Sequence, residues 1–266
     1  MTSIYGKHIE GYFEALEILN GCSNLVIGNP IKHSQSPNFH NTYYNQNQID
    51  AKMIAVENPS LTQLIRHIRE NRIPLTAVTR PFKTEILKYV DLQSEAVNAL
   101  GAANTLIFKN NQIEAHNTDI DGILAALKNI ELNKSSVMII GAGGAARALG
   151  YALKESGAKL FWLNRSRSKA EELKNLFGGR IIDSPLHEAD LIVNTTPLGM
   201  SPEIDQSPLK DYSFRSNQIV FDMVYTPQET RLLKDSAHAG AHCISGLKMF
   251  EAQALKQIEL CYGLKS

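Results

Sequence analysis

The stretch VMIIGAGGAARALG, residues 137–150, joins an apolar run to a helical pattern through closely spaced glycines. Gly141 and Gly143 stand with Ala146 in the pattern G-x-G-x-x-A, which is typical of the first strand–turn–helix unit of a dinucleotide-binding sheet. There the first glycine permits a tight turn, the second lets a pyrophosphate approach the backbone, and the helix N-terminus faces the anion. The stretch therefore predicts a parallel sheet with a bound dinucleotide. The alternative is a glycine-rich crossover without a ligand.

The strand pattern that follows, AKLFWL, indicates which dinucleotide binds. A NAD site usually carries Asp or Glu at the end of this strand, where the carboxylate binds the ribose 2′-hydroxyl. Here Asn164 is followed by Arg165, Ser166 and Arg167. A guanidinium fits a 2′-phosphate, whereas a carboxylate would repel it, so we predict NADP rather than NAD. For Arg167 and Lys169 a solvated helix start is an equally good interpretation.

Apolar runs alternate with helical patterns along the whole chain of 266 residues, a length that suits one large domain or two ordinary ones. NLVIGNP, AKMIAVE and LTAV read as strands, and AANTLIF and QIEAH flank KNN as in a hairpin. A second series runs from SSVMII to QIVFDMVY, and a last helix follows in GLKMFEAQALKQIELCYG. Strand–helix–strand units of this length imply parallel sheets with right-handed crossovers. We therefore predict an α/β protein with two sheets joined near residues 117–125.

The composition limits the partners. Lys and Arg together number 27, as do Asp and Glu, so the zero net charge gives no support for nucleic acid or an anionic membrane. No run approaches the ~18 apolar residues of a membrane span. The eight histidines form no H-E-x-x-H cluster, so we predict no metal. Cys22, Cys243 and Cys261 are odd in number and lack metal-type spacing, so we expect reduced thiols in a cytoplasmic protein.

The start of the chain, residues 1–21, reads as an amphipathic helix rather than a signal peptide. Gly21 would end this helix. The residues that would line its apolar side are Ile9, Phe13, Leu16 and Leu19.

Two serines in GNPIKHSQSPNFHN form a candidate anion site. Ser34 and Ser36 are two residues apart, and Pro37 opens a helix. Two hydroxyls at a helix N-terminus can bind a carboxylate. The alternative is a serine-capped helix without a ligand.

A lysine stands in an unfavourable place in TAVTRPFKTEI. Thr79 and Pro81 predict a helix start with Lys83 in its first turn, where the helix dipole favours negative charge. A partly desolvated amine at such a place is a better proton donor or acceptor near neutral pH. The alternative is a lysine that shields the carbonyl end of a neighbouring element.

Nine strings carry a resemblance to a known family: GNPIKHSQSP, VTRPFK, GAANTL, HNTDIDG, GAGGAAR, NRS, NTTPLGM, FDMVY and GLKMFEAQA. In order and spacing they resemble those of the shikimate dehydrogenases, from about residue 25 to the end. The resemblance implies the NADP-dependent interconversion of 3-dehydroshikimate and shikimate, a step in making aromatic amino acids. Residues 1–21 are not part of the pattern, and we interpret them as an added packing element, with a regulatory or partner-binding role as the alternative.

The resemblance also implies a division of labour along the chain. Residues 1–119 and 246–266 would form a substrate domain to which the last helix returns. Residues 120–245 would form a Rossmann-type, doubly wound NADP domain. The protein would act on a small molecule as a monomer or homodimer.

Site residues follow from the resemblance position by position. Lys83 and Asp119 match the catalytic pair, in which Lys83 protonates or polarises the ketone oxygen; helix capping is the alternative for Asp119. The substrate carboxylate would be bound by Ser34, Ser36 and Tyr225. The ring hydroxyls would be bound by Thr79, Asn104, Asp119 and Gln253. The NADP contacts would be Gly141, Ala142, Gly143, Gly144, Ala145, Asn164, Arg165, Ser166, Met223 and Gly246.

The chain departs from the family pattern in the substrate strings. Ala77 stands where the family usually has an asparagine that binds substrate hydroxyls, and Arg80 replaces a small or apolar residue. A missing hydrogen bond would weaken shikimate binding. A relative that oxidises quinate is therefore an alternative, although quinate enzymes often prefer NAD and Arg165 argues against that. A third hypothesis is an NADP-binding sensor, but such a protein would be free to lose Lys83 or Asp119.

Overall fold

The computed structural model describes residues 9–10, 24–32, 34–58 and 60–264. Its contacts divide the chain into two compact units. The first unit contains the described residues up to Thr118 and those from Ala254 onward, and the second runs from Asp119 to Gln253. The domain boundaries expected from the family resemblance differ from this division mainly in the last helix, whose first turns fall in the second unit.

Seven strands form the sheet of the first unit, in the order β1-β3-β2-β4-β6-β7-β5. Apolar side chains cover both faces: Leu25 and Ile27 pack on one side, Val26 and Leu75 on the other. The elements are β1 (Ile9–Glu10), β2 (Asn24–Gly28), α1 (Ser36–Gln46), β3 (Met53–Glu57), α2 (Leu61–Glu70), β4 (Leu75–Val78), a 3₁₀-helix (Glu85–Tyr89), β5 (Leu92–Gln93), α3 (Glu95–Leu100), β6 (Thr105–Lys109) and β7 (Gln112–His116).

The predicted hairpin is confirmed. β6 and β7 pair antiparallel from Thr105 opposite His116 to Lys109 opposite Gln112. Asn110 and Asn111 connect them with φ angles of 52° and 63°. Asparagine tolerates this left-handed conformation, which a two-residue turn needs in order to match the strand twist.

Most of the predicted N-terminal helix, residues 1–21, lies outside the described residues. At Ile9–Glu10 the prediction is wrong, because these two residues form a strand parallel to Val56–Glu57. The backbone of β3 would otherwise present an edge of unpaired N–H and C=O groups, and the added strand satisfies part of it.

The predicted α-helix from Pro81 is also wrong. Residues 80–84 form turns, and only a short 3₁₀-helix follows, at Glu85–Tyr89. The carbonyl of Lys83 accepts a hydrogen bond from the N–H of Ala103 at 2.8 Å, so it is used across the fold rather than within a helix. Phe82 and Ile86, which are 3% and 0% exposed, anchor the segment in the core. Lys83 therefore lies in a turn, and the helix-dipole argument does not apply to it.

Six parallel strands form the sheet of the second unit, in the order β10-β9-β8-β11-β12-β13. This order is that of a doubly wound nucleotide-binding sheet, so the predicted α/β fold with two sheets is confirmed. The elements are α4 (Asp119–Leu127), β8 (Ser136–Ile140), α5 (Gly144–Leu153), β9 (Lys159–Leu163), α6 (Arg167–Phe177), β10 (Arg180–Ile182), β11 (Leu191–Asn194), β12 (Ile219–Asp222), α7 (Arg231–His238) and β13 (His242–Ser245).

The last helix, α8, spans Gly246–Tyr262, as its apolar pattern predicts. The four-residue strand β13 that precedes it carries too little pattern to be expected from the sequence. Within the described part of the chain, no helix combines the length and apolarity needed to cross a membrane.

Candidate active site

Polar residues of the first unit gather at one edge of its sheet. β2 and β4 run parallel and end together, with Ile27 beside Val78. β6 runs the opposite way and begins at the same edge, because Ala77 pairs with Thr105. The loops after β2 and β4 and the start of β6 therefore meet at this edge, and they carry the substrate residues expected in this unit.

Ser34 and Ser36 lie together at the N-terminus of α1. The N–H of Ser36 donates to Ser34 Oγ at 3.3 Å. Ser36 is buried and Ser34 is half-buried. Glu57, at the end of β3, accepts from the N–H of Ile31 at 2.9 Å and holds the loop that leads to the serines. Ser34 Oγ thus lies beside the first residue of α1, where the sequence analysis expects a carboxylate site.

Thr79 and Lys83 lie on the segment that follows β4. The N–H of Thr79 donates to the carbonyl of Ile27 at 2.9 Å, which fixes the half-buried threonine beside the end of β2. The bond from Ala103 to the Lys83 carbonyl ties the other end of the segment to the residue before Asn104. The side chain of Lys83 is half-buried, whereas Arg80 is exposed.

Asn104 is held by a dense set of hydrogen bonds. It is 3% exposed, and its Oδ1 accepts from the N–H of Thr118 and from Thr105 Oγ1, both at 2.8 Å. Its Nδ2 donates to Thr118 Oγ1 at 3.0 Å. These contacts fix which face of the amide carries the oxygen. The amide nitrogen has two protons, so it can serve a second acceptor besides Thr118.

The glycine turn of the second unit is shaped by Thr195. Gly141 has a φ of 111°, and a Cβ there would collide with Thr195 Oγ1, which donates to the carbonyl of Ile140 at 2.7 Å. Gly143 caps α5, and a Cβ built on it meets no described atom within 4 Å. The space above Gly143 is therefore open in this unit, as a site for a pyrophosphate requires.

A buried polar cluster supports the loops next to this turn. Asn194 and Asp222 end the neighbouring strands β11 and β12, both are 0% exposed, and Asn194 Nδ2 donates to Asp222 Oδ1 at 2.9 Å. Asn194 Oδ1 accepts from the backbone N–H of Thr196 at 2.9 Å. Asp222 also accepts from the N–H of Val224 at 3.0 Å and from Thr230 Oγ1 at 2.6 Å.

Burial disfavours the charged form of Asp222 and raises its pKa to about 6, while its hydrogen bonds act in the opposite direction. Sequence reasoning missed Asn194, Asp222 and Thr230 as functional supports. The available signal was an amide and a carboxylate at the ends of two successive apolar strands.

The residues expected around the nicotinamide lie together at the start of α8. A Cβ on Gly246 would meet the carbonyl oxygen of Met223 at 2.5 Å, so the absence of a side chain lets the helix begin against this loop. The ring of Tyr225 stacks on Phe250 with centroids 4.7 Å apart. Gln253 is 9% exposed, and its Nε2 donates to the carbonyl of Phe250 at 3.0 Å.

Three of the seven expected substrate residues belong to the second unit. Tyr225 and Gln253 lie near Phe250, and Asp119 is the buried first residue of α4. The other four, Ser34, Ser36, Thr79 and Asn104, share the sheet edge of the first unit.

Arg165 and Arg167, which follow β9, have different surroundings. Asn164 Nδ2 donates to the carbonyl of Ser166 at 2.8 Å and closes the turn. Arg167 forms ion pairs with Asp183 at 2.9 Å and Glu171 at 3.5 Å. Arg165 is exposed at the tip of the turn. Arg165 is therefore the better candidate for binding a 2′-phosphate.

Together, a hydroxyl- and amide-lined edge in one unit and a glycine turn for a dinucleotide in the other define a nucleotide-dependent oxidoreductase. A family model described as the shikimate dehydrogenase substrate binding domain matches residues 26–106, and one described as shikimate / quinate 5-dehydrogenase matches residues 124–223. The chain belongs to the shikimate dehydrogenase family, and the resemblance drawn from its motifs is confirmed.

Individual relatives are similar to this chain along nearly its whole length. The shikimate dehydrogenase (NADP(+)) of Carboxydothermus hydrogenoformans is 34% identical over 92% of this chain and 94% of its own length. The crystal structure of shikimate dehydrogenase from Aquifex aeolicus has a TM-score of 0.86 and 34% identity, covering 91% of this chain and 93% of that chain. The shikimate 5-dehydrogenase from Thermus thermophilus, solved in complex with NADP(H) and shikimate, has a TM-score of 0.83 and 31% identity, covering 91% of this chain and 94% of that chain.

Proposed function

We propose that this protein catalyses the NADP-dependent, reversible reduction of 3-dehydroshikimate to shikimate in aromatic amino acid biosynthesis. The observation that carries the proposal is the pairing of an open glycine turn with Arg165, where a NAD enzyme usually has a carboxylate. The Carboxydothermus relative is named for NADP(+), in agreement with the cofactor predicted from these residues.

Lys83 and Asp119 are the acid–base pair of this proposal. When NADPH is bound it supplies the hydride that the ring ketone receives at carbon. The ammonium of Lys83 gives a proton to the ketone oxygen, so the ketone becomes a hydroxyl and the lysine becomes neutral. Asp119 is the carboxylate partner that orients the amine and the hydroxyl. The half-burial of Lys83 and the burial of Asp119 support this assignment.

The remaining side chains bind the substrate. Ser34 and Ser36 hold the ring carboxylate with Tyr225, supported by the contact between the two serines. Asn104 offers an amide whose orientation is set by Thr105 and Thr118. Thr79, Asp119 and Gln253 complete the set for the ring hydroxyls.

The proposed cofactor contacts all lie in the second unit. The turn of residues 141–145 holds the pyrophosphate, and residues 164–166 hold the ribose and its phosphate. Met223 and Gly246 flank the nicotinamide, supported by the close approach of their backbones.

The setting and assembly of the protein remain predictions. A cytoplasmic location is supported by Cys243 and Cys261, both of which are free thiols. We retain monomer or homodimer as the expected assembly.

A quinate dehydrogenase is the second candidate, favoured by one observation. Ala77 is 4% exposed on β4 and pairs with Thr105, so the amide usual in the family is missing at this edge. A changed pattern of hydrogen bonds there would alter the choice among cyclic polyol acids.

The deciding experiment measures absorbance at the NADPH band with the purified protein. Initial rates are compared for shikimate and quinate, each with NADP and with NAD. We expect the highest kcat/KM for shikimate with NADP. A higher kcat/KM for quinate would favour the second candidate, and no turnover of either acid would leave the sensor hypothesis.

A further inference from the structure

A buried chain of side-chain hydrogen bonds leads from α8 to Asn104. It begins at Gln257, which is 1% exposed and lies one helical turn beyond the predicted substrate residue Gln253. The Nε2 of Gln257 donates to Thr105 Oγ1 at 2.9 Å and to the backbone carbonyl of Asn104 at 3.3 Å. All of these residues except Gln253 belong to the first unit.

The direction of this chain follows from the chemistry of its members. A carbonyl oxygen can only accept, so the contact with the Asn104 carbonyl fixes the nitrogen of the Gln257 amide on that side. Thr105 has one hydroxyl proton, and it donates this proton to Asn104 Oδ1 at 2.8 Å. The oxygen of Thr105 is then an acceptor for Gln257. The order is therefore Gln257 to Thr105 to Asn104.

This order determines what Asn104 presents. Its Oδ1 is engaged by Thr105 and by the N–H of Thr118, so its nitrogen is the part suited to recognise an acceptor such as a substrate hydroxyl. On β4 the residue opposite Thr105 is Ala77, whose methyl side chain cannot form a hydrogen bond with the Thr105 hydroxyl. The Thr105 hydroxyl is therefore contacted by Gln257 at 2.9 Å and by Thr118 Oγ1 at 3.3 Å, in addition to its bond with Asn104.

The other side of Gln257 faces a second residue next to the substrate edge. His40 is 0% exposed, and its Nδ1 lies 2.8 Å from the carbonyl of Ser36, so Nδ1 carries the proton. Burial lowers the pKa of His40 to about 4, which keeps the ring neutral. The Gln257 side chain lies near enough to raise this pKa slightly, although no described group meets hydrogen-bond geometry at His40 Nε2.

We propose that Gln257 is a positioning residue for substrate recognition, which acts through Thr105 to fix the orientation of the Asn104 amide. This inference rests on the proposed function, in which Asn104 binds a ring hydroxyl. In this proposal Gln257 acts through Thr105 and not by direct contact with substrate or cofactor. Without Gln257 the Thr105 hydroxyl is less firmly directed at Asn104 Oδ1, and the backbone N–H of Thr118 is left as the main donor that holds the amide oxygen.

A double-mutant cycle on the full-length protein tests the route. Gln257→Met removes the donor at similar volume, and Thr105→Val removes the hydroxyl at similar shape. We expect each single variant to raise the KM for shikimate about three- to tenfold, as for one lost hydrogen bond, with an unchanged KM for NADP. The double variant should resemble Thr105→Val alone, because both changes break the same chain. Multiplying effects, or an unchanged KM in Gln257→Met, would overturn the inference.

A matched control separates positioning from general packing. Gln218 is also a buried glutamine, 0% exposed, but its amide donates to the carbonyls of His187 and Ala189 in the second unit. We expect Gln218→Met to lower the melting temperature without changing the KM for shikimate. An equal rise in KM in this variant would assign the Gln257 effect to lost stability.

A readout without substrate keeps the two proposals distinguishable. The side-chain amide resonance of Asn104, assigned by its loss in Asn104→Asp, is recorded by NMR in the ligand-free protein. Gln257→Met should shift it, with no further shift when Thr105→Val is already present. If the wild type does not oxidise shikimate but this coupling is present, the proposed function fails and the positioning role stands. If the wild type is active and the resonance does not respond to Gln257→Met, the positioning role fails alone.

Discussion

The two units solve the problem of binding with different parts of the chain. The first unit offers side chains: Asn104 is oriented by Thr105 and Thr118, and hydroxyls of Ser34 and Thr79 stand at the same edge. The second unit offers backbone, in a turn that needs glycine at Gly141. A ring with several hydroxyls requires donors and acceptors in a defined pattern, whereas a pyrophosphate is satisfied by N–H groups and a helix dipole. Removing a side chain should therefore impair binding in the first unit, whereas adding one should impair binding in the second.

The units also differ in the charge state of their buried ionisable groups. His40 in the first unit is kept neutral by burial, which lowers its pKa to about 4. Asp222 in the second has its pKa raised by burial to about 6. Acidification therefore lowers the stability of the folded state through His40 and raises it through Asp222.

The largest expected effect comes from removing a functional side chain in the first unit. Lys83→Ala should lower kcat by about 10² to 10⁴, the usual contribution of a general acid, with little change in substrate affinity. The matched control is Lys88→Ala, a lysine in the adjoining 3₁₀-helix, which should retain wild-type rates. A Lys83→Ala enzyme within threefold of the wild type would remove Lys83 from the mechanism.

In the second unit, the expected effects come from adding a side chain at a glycine of the dinucleotide turn. A methyl at position 143 meets only open space among the described residues, so Gly143→Ala should keep its melting temperature and raise the KM for NADP about tenfold or more. A methyl at position 141 meets Thr195 at an unfavourable φ, so Gly141→Ala should cost about 1 to 3 kcal/mol of stability. Thermal unfolding and NADP kinetics on both variants check the contrast. Equal losses of stability in both would show that the turn is not open at Gly143.

The pH dependence of stability should separate the two buried groups. The folded pKa of His40 lies below its ordinary value of 6.5, so its contribution is complete above pH 6.5 and is lost as the pH falls toward 4. The folded pKa of Asp222 lies above its ordinary value of 3.8, so stability falls as the pH rises from 3.8 to 6. Each slope approaches roughly 1 kcal/mol per pH unit.

Denaturant unfolding at several pH values checks these signs. Relative to wild type, Asp222→Asn should lose more stability on acidification from pH 6 to 4, because the compensating group is gone. His40→Phe should show the opposite difference. Differences of the same sign in the two variants would contradict the assignment of either group.

The smallest expected effect restores an amide to the first unit. Ala77→Asn should lower the KM for shikimate about three- to tenfold, because it adds a hydrogen-bonding group beside Thr105 at the substrate edge. Ala77→Val serves as the control for added volume and should not lower this KM. If Ala77→Asn gives no decrease, position 77 is not where the binding energy was lost.

The local sequence pattern was sufficient to predict many of the strands and helices. The alternation of apolar residues predicts β2, β3, β4 and α2, and the glycines at 141 and 143 predict the dinucleotide turn. It failed at Lys83, where the predicted helix is a turn because the Lys83 carbonyl is used by Ala103, twenty residues away in sequence. It also missed β13, which is too short to carry a periodic signal.

By itself, the amino-acid sequence determined the two sheets, the dinucleotide turn, the arginine that favours NADP and the family of the protein. Each of these features depends on residues that are close together in the sequence. Only the tertiary structure decided how Asn104 is turned and that Asn194 and Asp222 support the loops. Those facts depend on hydrogen bonds between residues far apart in the chain, such as Gln257 with Thr105. Hydrogen bonds of this kind arise only after the strands and helices have packed, so no local pattern records them.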